Sequence, residues 1–130
     1  LHFYRKMEHT KDVVVLVSEA TPESYLDYLR EREYPFIRCG RSRVDLRGAI
    51  LELGERFGIT RVVSDSGPDL NDVLIREGIA DTISLIVHPV IVGGEEKRLF
   101  CQVGGPVTLE LQKAVPMEGG TVHLTYTLKD

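Results

Sequence analysis

Three short apolar runs, each followed by a turn and then by apolar residues at helical spacing, set the pattern of this chain. Asp12–Val17 contains a continuous β-branched stretch bounded by polar residues, which predicts a strand over 13–17 buried on both faces. Phe36–Cys39 predicts a second strand and Arg61–Ser64 a third. After the first run, Thr21 is placed to cap a helix with Pro22 at its first position, and Tyr25, Leu26 and Leu29 form its inward stripe. After the second, Asp45 caps a helix carrying Leu46, Ala49, Ile50, Leu53 and Phe57, and Gly58 ends it. After the third, Asp65-Ser66-Gly67-Pro68 breaks the strand. Asp69 then caps a helix facing inward through Leu70, Val73, Leu74 and the stem of Glu77, with Gly78 as its end. Thr82–His88 predicts a further strand, limited by Pro89, and Leu1–Tyr4 reads as the end of a strand.

Strands alternating with helices predict an α/β fold with a mainly parallel sheet flanked by helices. The unit from 61 to 88 is expected to be a right-handed crossover with parallel strands. Beyond Pro89 the pattern changes. Val107–Val115 and Thr121–Leu128 alternate apolar and polar residues around Pro116-Met117-Glu118-Gly119-Gly120, which predicts a carboxyl-terminal antiparallel hairpin. One face of such a hairpin is wet or covered by a partner. A homodimer is the expected assembly.

In a parallel sheet the loops after the three strands share one edge, where open α/β sheets bind ligands. Ser18 and Thr21 offer hydroxyls there, Gly40 opens the second loop, and Arg41 and Arg43 offer charge for a phosphate. Gly67 lets a ligand approach the backbone. Asp65 and Asp69 count against a phosphate lying directly on that third loop.

Composition narrows the classes. Apolar residues make up 42% and charged residues 28% of 130 residues, which fits one soluble globular domain. With 16 basic and 20 acidic residues the net charge is −4 and there is no long basic run, so nucleic acid is not an expected partner. No apolar stretch reaches the ~18 residues of a membrane span. The cysteines, Cys39 and Cys101, show no metal spacing, and the histidines form no pair at helical spacing, so no metal is expected. Free thiols suit a reducing, cytoplasmic setting. His88, before a proline at a strand end, reads as a structural histidine, and Asp81 as a local cap. The chain opens on Leu1, which is read as a piece of a longer protein.

The run Asp65-Ser66-Gly67, then Leu70-Asn71, then Glu77-Gly78-Ile79-Ala80-Asp81, then His88-Pro89-Val90-Ile91-Val92-Gly93-Gly94 resembles the carboxyl-terminal half of the riboflavin-pathway pyrimidine reductases, most closely the archaeal type. These have a dihydrofolate-reductase-like fold. The resemblance implies reduction of a ribosylamino-pyrimidine 5′-phosphate to its ribityl form with NADPH, the hydride chemistry belonging to the nicotinamide. It also implies that the 130 residues are the carboxyl-terminal part of a longer reductase domain.

By the resemblance, Ser66 and Gly67 fall on the family's Gly-Gly, whose backbone lies against the cofactor. Asp65 falls on the acidic residue before it, and Leu70 and Asn71 on its helix start. Ser18 falls near the position that touches the adenosine ribose or its 2′-phosphate. Thr21, Gly40 and Arg41 join this cofactor set from their place on the edge. Ser66 stands where the family has its first glycine. The family's substrate residues lie mostly in an amino-terminal half that these residues do not include, so no catalytic residue is assigned. The alternatives are a non-catalytic nucleotide-binding or dimerisation module of the same fold, or a dihydrofolate-reductase-like enzyme acting on a dihydropteridine.

Overall fold

The computed structural model describes residues 1–94 and 98–129. They divide into two compact units, Leu1–Val63 and Ser64–Asp130.

The first unit holds α1 (His2–Arg5), β1 (Val15–Val17), α2 (Glu23–Glu31), β2 (Phe36–Arg38) and α3 (Leu46–Phe57). β1 and β2 pair in parallel, Val15 opposite Phe36 and Val17 opposite Arg38. Antiparallel neighbours can be joined by a tight turn, but a parallel pair needs a crossover, and α2 supplies it. Leu26 and Leu29 of α2 are fully buried and pack with Val17 and Tyr34, while Val13, Val15 and Phe36 close the cluster. Tyr25, expected inward, is half-exposed and stacks on Tyr28 at 5.8 Å.

The end of α2 is held from an unexpected place. Leu1–Tyr4 is not a strand end: His2–Arg5 is a turn of helix, because the run has no ladder partner and its amide groups bond locally instead. From there Arg5 reaches back. Its Nη1 donates to the Arg32 carbonyl at 3.1 Å and its Nη2 to that of Glu33 at 2.6 Å, and the guanidinium lies 4.1 Å from the Tyr34 ring centre. A cation on the last carbonyls of a helix satisfies groups the helix itself cannot.

Asp45 caps α3 as expected, accepting from the Gly48 N–H at 3.1 Å. Gly58 closes it at φ 67°, a left-handed conformation suited to glycine. Thr21 does not cap α2. The N-cap is Pro22, and the Thr21 hydroxyl accepts the Ser18 N–H instead, at 3.1 Å.

The second unit holds α4 (Pro68–Arg76), β3 (Thr82–Val87), β4 (Leu109–Pro116), a 3₁₀ turn at Glu118–Gly120, and β5 (Val122–Leu128). β5 lies between β3 and β4, antiparallel to both. The carboxyl-terminal hairpin forms as expected, with a bulge at Gln112 between Leu111 and Lys113.

The mainly parallel sheet does not form. Among the described residues parallel pairing is confined to β1 and β2, and β3 runs antiparallel to β5. Residues 61–67 have no regular structure, so the expected 61–64 strand and the parallel crossover to β3 are absent. Their side chains have strand character, but a strand exists only where its backbone finds a ladder, and Val62 and Val63 are left 53% and 77% exposed.

α4 turns Val73 and Leu74 inward as expected, but Leu70 and Glu77 stay outside and its most buried residue is Asp72. The inner positions are Pro68, Asn71, Asp72 and Ile75, spaced i, i+3, i+4, i+7, with Val73 and Leu74 beside them. Gly67, not Asp69, is the N-cap; Pro68 opens the helix and Asp69 lies in its first turn.

Candidate functional site

Two of the expected loops meet in the first unit. Beyond the ends of β1 and β2 the pairing continues through backbone bonds: the Glu19 N–H donates to the Gly40 carbonyl at 2.8 Å and the Ala20 N–H to that of Arg41 at 2.9 Å. Arg38 adds a bond from Nη2 to the Glu19 carbonyl, 2.8 Å. Ser18 is buried at 7% exposure, its N–H taken by Thr21 and its carbonyl by the Thr21 N–H at 3.1 Å. Ser18 and Thr21 thus form a closed small turn, and Gly40 and Arg41 lie against it. Arg41 and Arg43 are exposed, their charge available at the surface.

Gly40 is required by space. It has φ 87°, and a Cβ there would strike the Arg43 carbonyl oxygen and lie 2.6 Å from the Asp45 nitrogen. Cys39 lies beside it as a free thiol. Burial pushes its thiol pKa up, and the carboxylates of Asp45, Glu52 and Glu19 push the same way.

The third loop belongs to the second unit. Ser66 is half-buried, and Asp65 and Gly67 are exposed. Gly67 has φ −73° and ψ 180°, ordinary extended backbone, and nothing lies within 4 Å of where a Cβ would be. Its side is therefore open to an approaching group. Leu70 is 36% exposed at the start of α4. Asn71 does not point outward with both donors. Its Nδ2 donates to the Ser66 carbonyl at 3.0 Å and, more weakly, to that of Leu99 at 3.4 Å. Both partners are carbonyls, which fixes which end of the amide is nitrogen.

The structure thus brings Ser18, Thr21, Gly40 and Arg41 together in one unit, and Ser66, Gly67 and Asn71 in the other, with Asp65 and Leu70 flanking the latter.

Asp72 escaped the sequence reading. It is 4% exposed, a buried carboxylate. It accepts the Cys101 N–H at 3.0 and 3.2 Å and the Gln102 N–H at 2.6 Å. Arg76, one turn on, donates from Nη1 to the Gln102 carbonyl at 3.2 Å. The signal for it was faint: a polar pair, Asn71-Asp72, at the spacing from Ile75 that an inward face demands. An apolar cavity of ≈ 270 Å³ lies in the same unit between Ile75, Ile83, Phe100, Val103 and Val107. None of the expected site residues lines it, and its lining offers nothing to a phosphate. His88 is exposed at the end of β3, with Nδ1 3.5 Å from the Thr121 hydroxyl.

The architecture is that of pyrimidine-reductase folds. A pyrimidine reductase-like protein from Corynebacterium diphtheriae superposes with a TM-score of 0.74 over 90% of this chain and 50% of that one, at 19% identity. RibD of Acinetobacter baumannii gives 0.68 over 88% of this chain and 31% of its own, at 15% identity. Residues 5–123 match the RibD C-terminal domain, and the chain belongs to that family.

Among curated relatives, the 2,5-diamino-6-ribosylamino-4(3H)-pyrimidinone 5′-phosphate reductase of Methanothermobacter thermautotrophicus is 28% identical over 132 residues, 97% of this chain and 60% of that protein. The enzyme of the same name from Aquifex aeolicus is 33% identical over 82 residues, 63% of this chain and 36% of that protein. This chain therefore spans 60% or less of the length of these relatives.

Proposed function

We propose that this chain carries the cofactor-binding part of an NADPH-dependent reductase acting on a ribosylamino-pyrimidine 5′-phosphate, the substrate in its relatives' names, in riboflavin biosynthesis. The observation that carries the reading is the pair of joined loops after β1 and β2. Two strand ends, bonded to each other through Glu19–Gly40 and Ala20–Arg41, set Thr21 and the exposed Arg41 at a sheet's carboxyl edge, with Ser18 buried in the same turn. Arg41 and Arg43 there suit a 2′-phosphate, which favours NADPH over NADH. In the second unit, taken by itself, the open face of Gly67, with Ser66 and Asp65 before it and Leu70 after, is a backbone surface that suits contact with a nucleotide. Bound there, the dinucleotide supplies hydride, and the protein's part is to hold and orient it. The protein acts as a homodimer in the cytoplasm. The described helices include none long and apolar enough to cross a membrane.

Replacing Gly67 by valine tests the assignment. The backbone there is extended and the Cβ position open, so the fold should persist, with only the small loss that valine brings at the N-cap of α4, while NADPH binding is lost. Unchanged NADPH affinity would move the site elsewhere. For the assembly, light scattering on a sizing column at micromolar concentration should give twice the monomer mass, and a clean monomer would refute the dimer.

A further inference from the structure

We propose that Asn71 and Asp72, adjacent on α4, are positioning residues that tie the Ser66–Gly67 turn to segment 99–102 as one frame. The proposal rests on the reading that this turn contacts the cofactor.

The Ser66–Gly67 peptide is trans, as there is no cis bond among the described residues. In a trans peptide C=O and N–H point in opposite directions. Asn71 holds the Ser66 carbonyl at 3.0 Å, so the Gly67 N–H is turned away from that side chain, on a residue with nothing within 4 Å of its Cβ position. Both Nδ2 hydrogens of Asn71 are spent on carbonyls, one on Ser66 and one on Leu99. The resemblance places Asn71 in the cofactor set, whereas these bonds make it act through the turn.

The Leu99 carbonyl that Asn71 leans on must itself be held. Segment 98–107 has no helix or strand to satisfy its backbone. Asp72 takes the N–H groups of Cys101 and Gln102, and Arg76 donates to the Gln102 carbonyl. A buried carboxylate is tolerated only where such bonds compensate its lost hydration, and backbone N–H donors to it are of the strong, charge-assisted kind. An alanine at 72 would leave two amide groups without their acceptor. Asp72 thus anchors one end of the frame and Asn71 transmits the anchor to the turn.

The variants are Asn71→Asp, of the same shape but presenting an acceptor to two carbonyls, and Asp72→Asn, which keeps one acceptor oxygen. Arg76→Ala, on an exposed side chain, is the milder third should Asp72→Asn fail to fold. Amide NMR reads the frame, and titration with NADPH reads its consequence. Asp72→Asn should speed hydrogen exchange at Cys101 and Gln102 and shift the Gly67 amide resonance. Asn71→Asp should weaken NADPH binding between about 10- and 100-fold and shift the Gly67 amide resonance as Asp72→Asn does. An unmoved Gly67 resonance in Asp72→Asn, or full NADPH affinity in Asn71→Asp, would overturn the proposal. A wild type that binds no nucleotide would instead overturn the cofactor reading, and the Gly67 resonance would then decide the frame by itself.

Discussion

Gly40 is where a single residue decides local structure most sharply. Its φ of 87° and the Arg43 and Asp45 backbone packed against it leave no room for a side chain. Gly40→Ala should therefore cost about 2 kcal/mol or more in urea unfolding, from backbone strain together with the forced shift of that loop. A loss under about 0.5 kcal/mol, typical of an indifferent surface change, would mean that the turn is not held as described. At this scale the sequence was readable where residue type and local geometry coincide. Asp45 caps α3 and Gly58 ends it, as their positions foretold. It was not readable for Thr21, whose hydroxyl accepts the Ser18 N–H instead of capping α2, nor for the bonds that Asn71 makes to the Ser66 and Leu99 carbonyls. Either use suits the same residue type, and the choice depends on where the neighbouring carbonyls and amides fall.

Elements were legible in existence and less so in partnership. β1, α2, β2 and α3 follow the apolar pattern closely, because their contacts lie near in sequence. The hairpin of β4 and β5 was equally plain, being set by alternation and a Gly-Gly turn. Residues 61–64 were misread because β-branched composition describes side chains, while a strand is defined by a ladder that the run does not have. α4 was misread in part: Val73 and Leu74 turn inward as expected, but Leu70 does not, and Asp72 was passed over because its burial depends on amide groups about thirty residues away. The 61–64 correction is itself testable. Val63 is 77% exposed, so Val63→Thr should change the stability of this chain by less than about 0.5 kcal/mol. A loss above about 1 kcal/mol in chemical denaturation would show the residue buried in a sheet after all.

For the whole molecule, family membership over residues 5–123 and the fold shared with solved pyrimidine reductases agree with what the motifs of 65–94 announced. The α/β class was legible; the dominance of parallel pairing was not, since β3 joins the hairpin rather than β1 and β2. The candidate cofactor set was legible in part. Parallel topology placed Ser18 and Thr21 beside Gly40 and Arg41 by rule, whereas the anchoring of Ser66 through Asn71 came only with the structure. On the proposed reading, Arg41 and Arg43, two exposed cations on one loop of a protein of net charge −4, hold the 2′-phosphate of NADPH. The most direct test is calorimetric titration with NADPH and, separately, with NADH. NADPH should bind at least about tenfold more tightly, a difference of about 1.4 kcal/mol, and Arg41→Ala should abolish the preference. Equal affinity for the two nucleotides, or binding of neither, would contradict it.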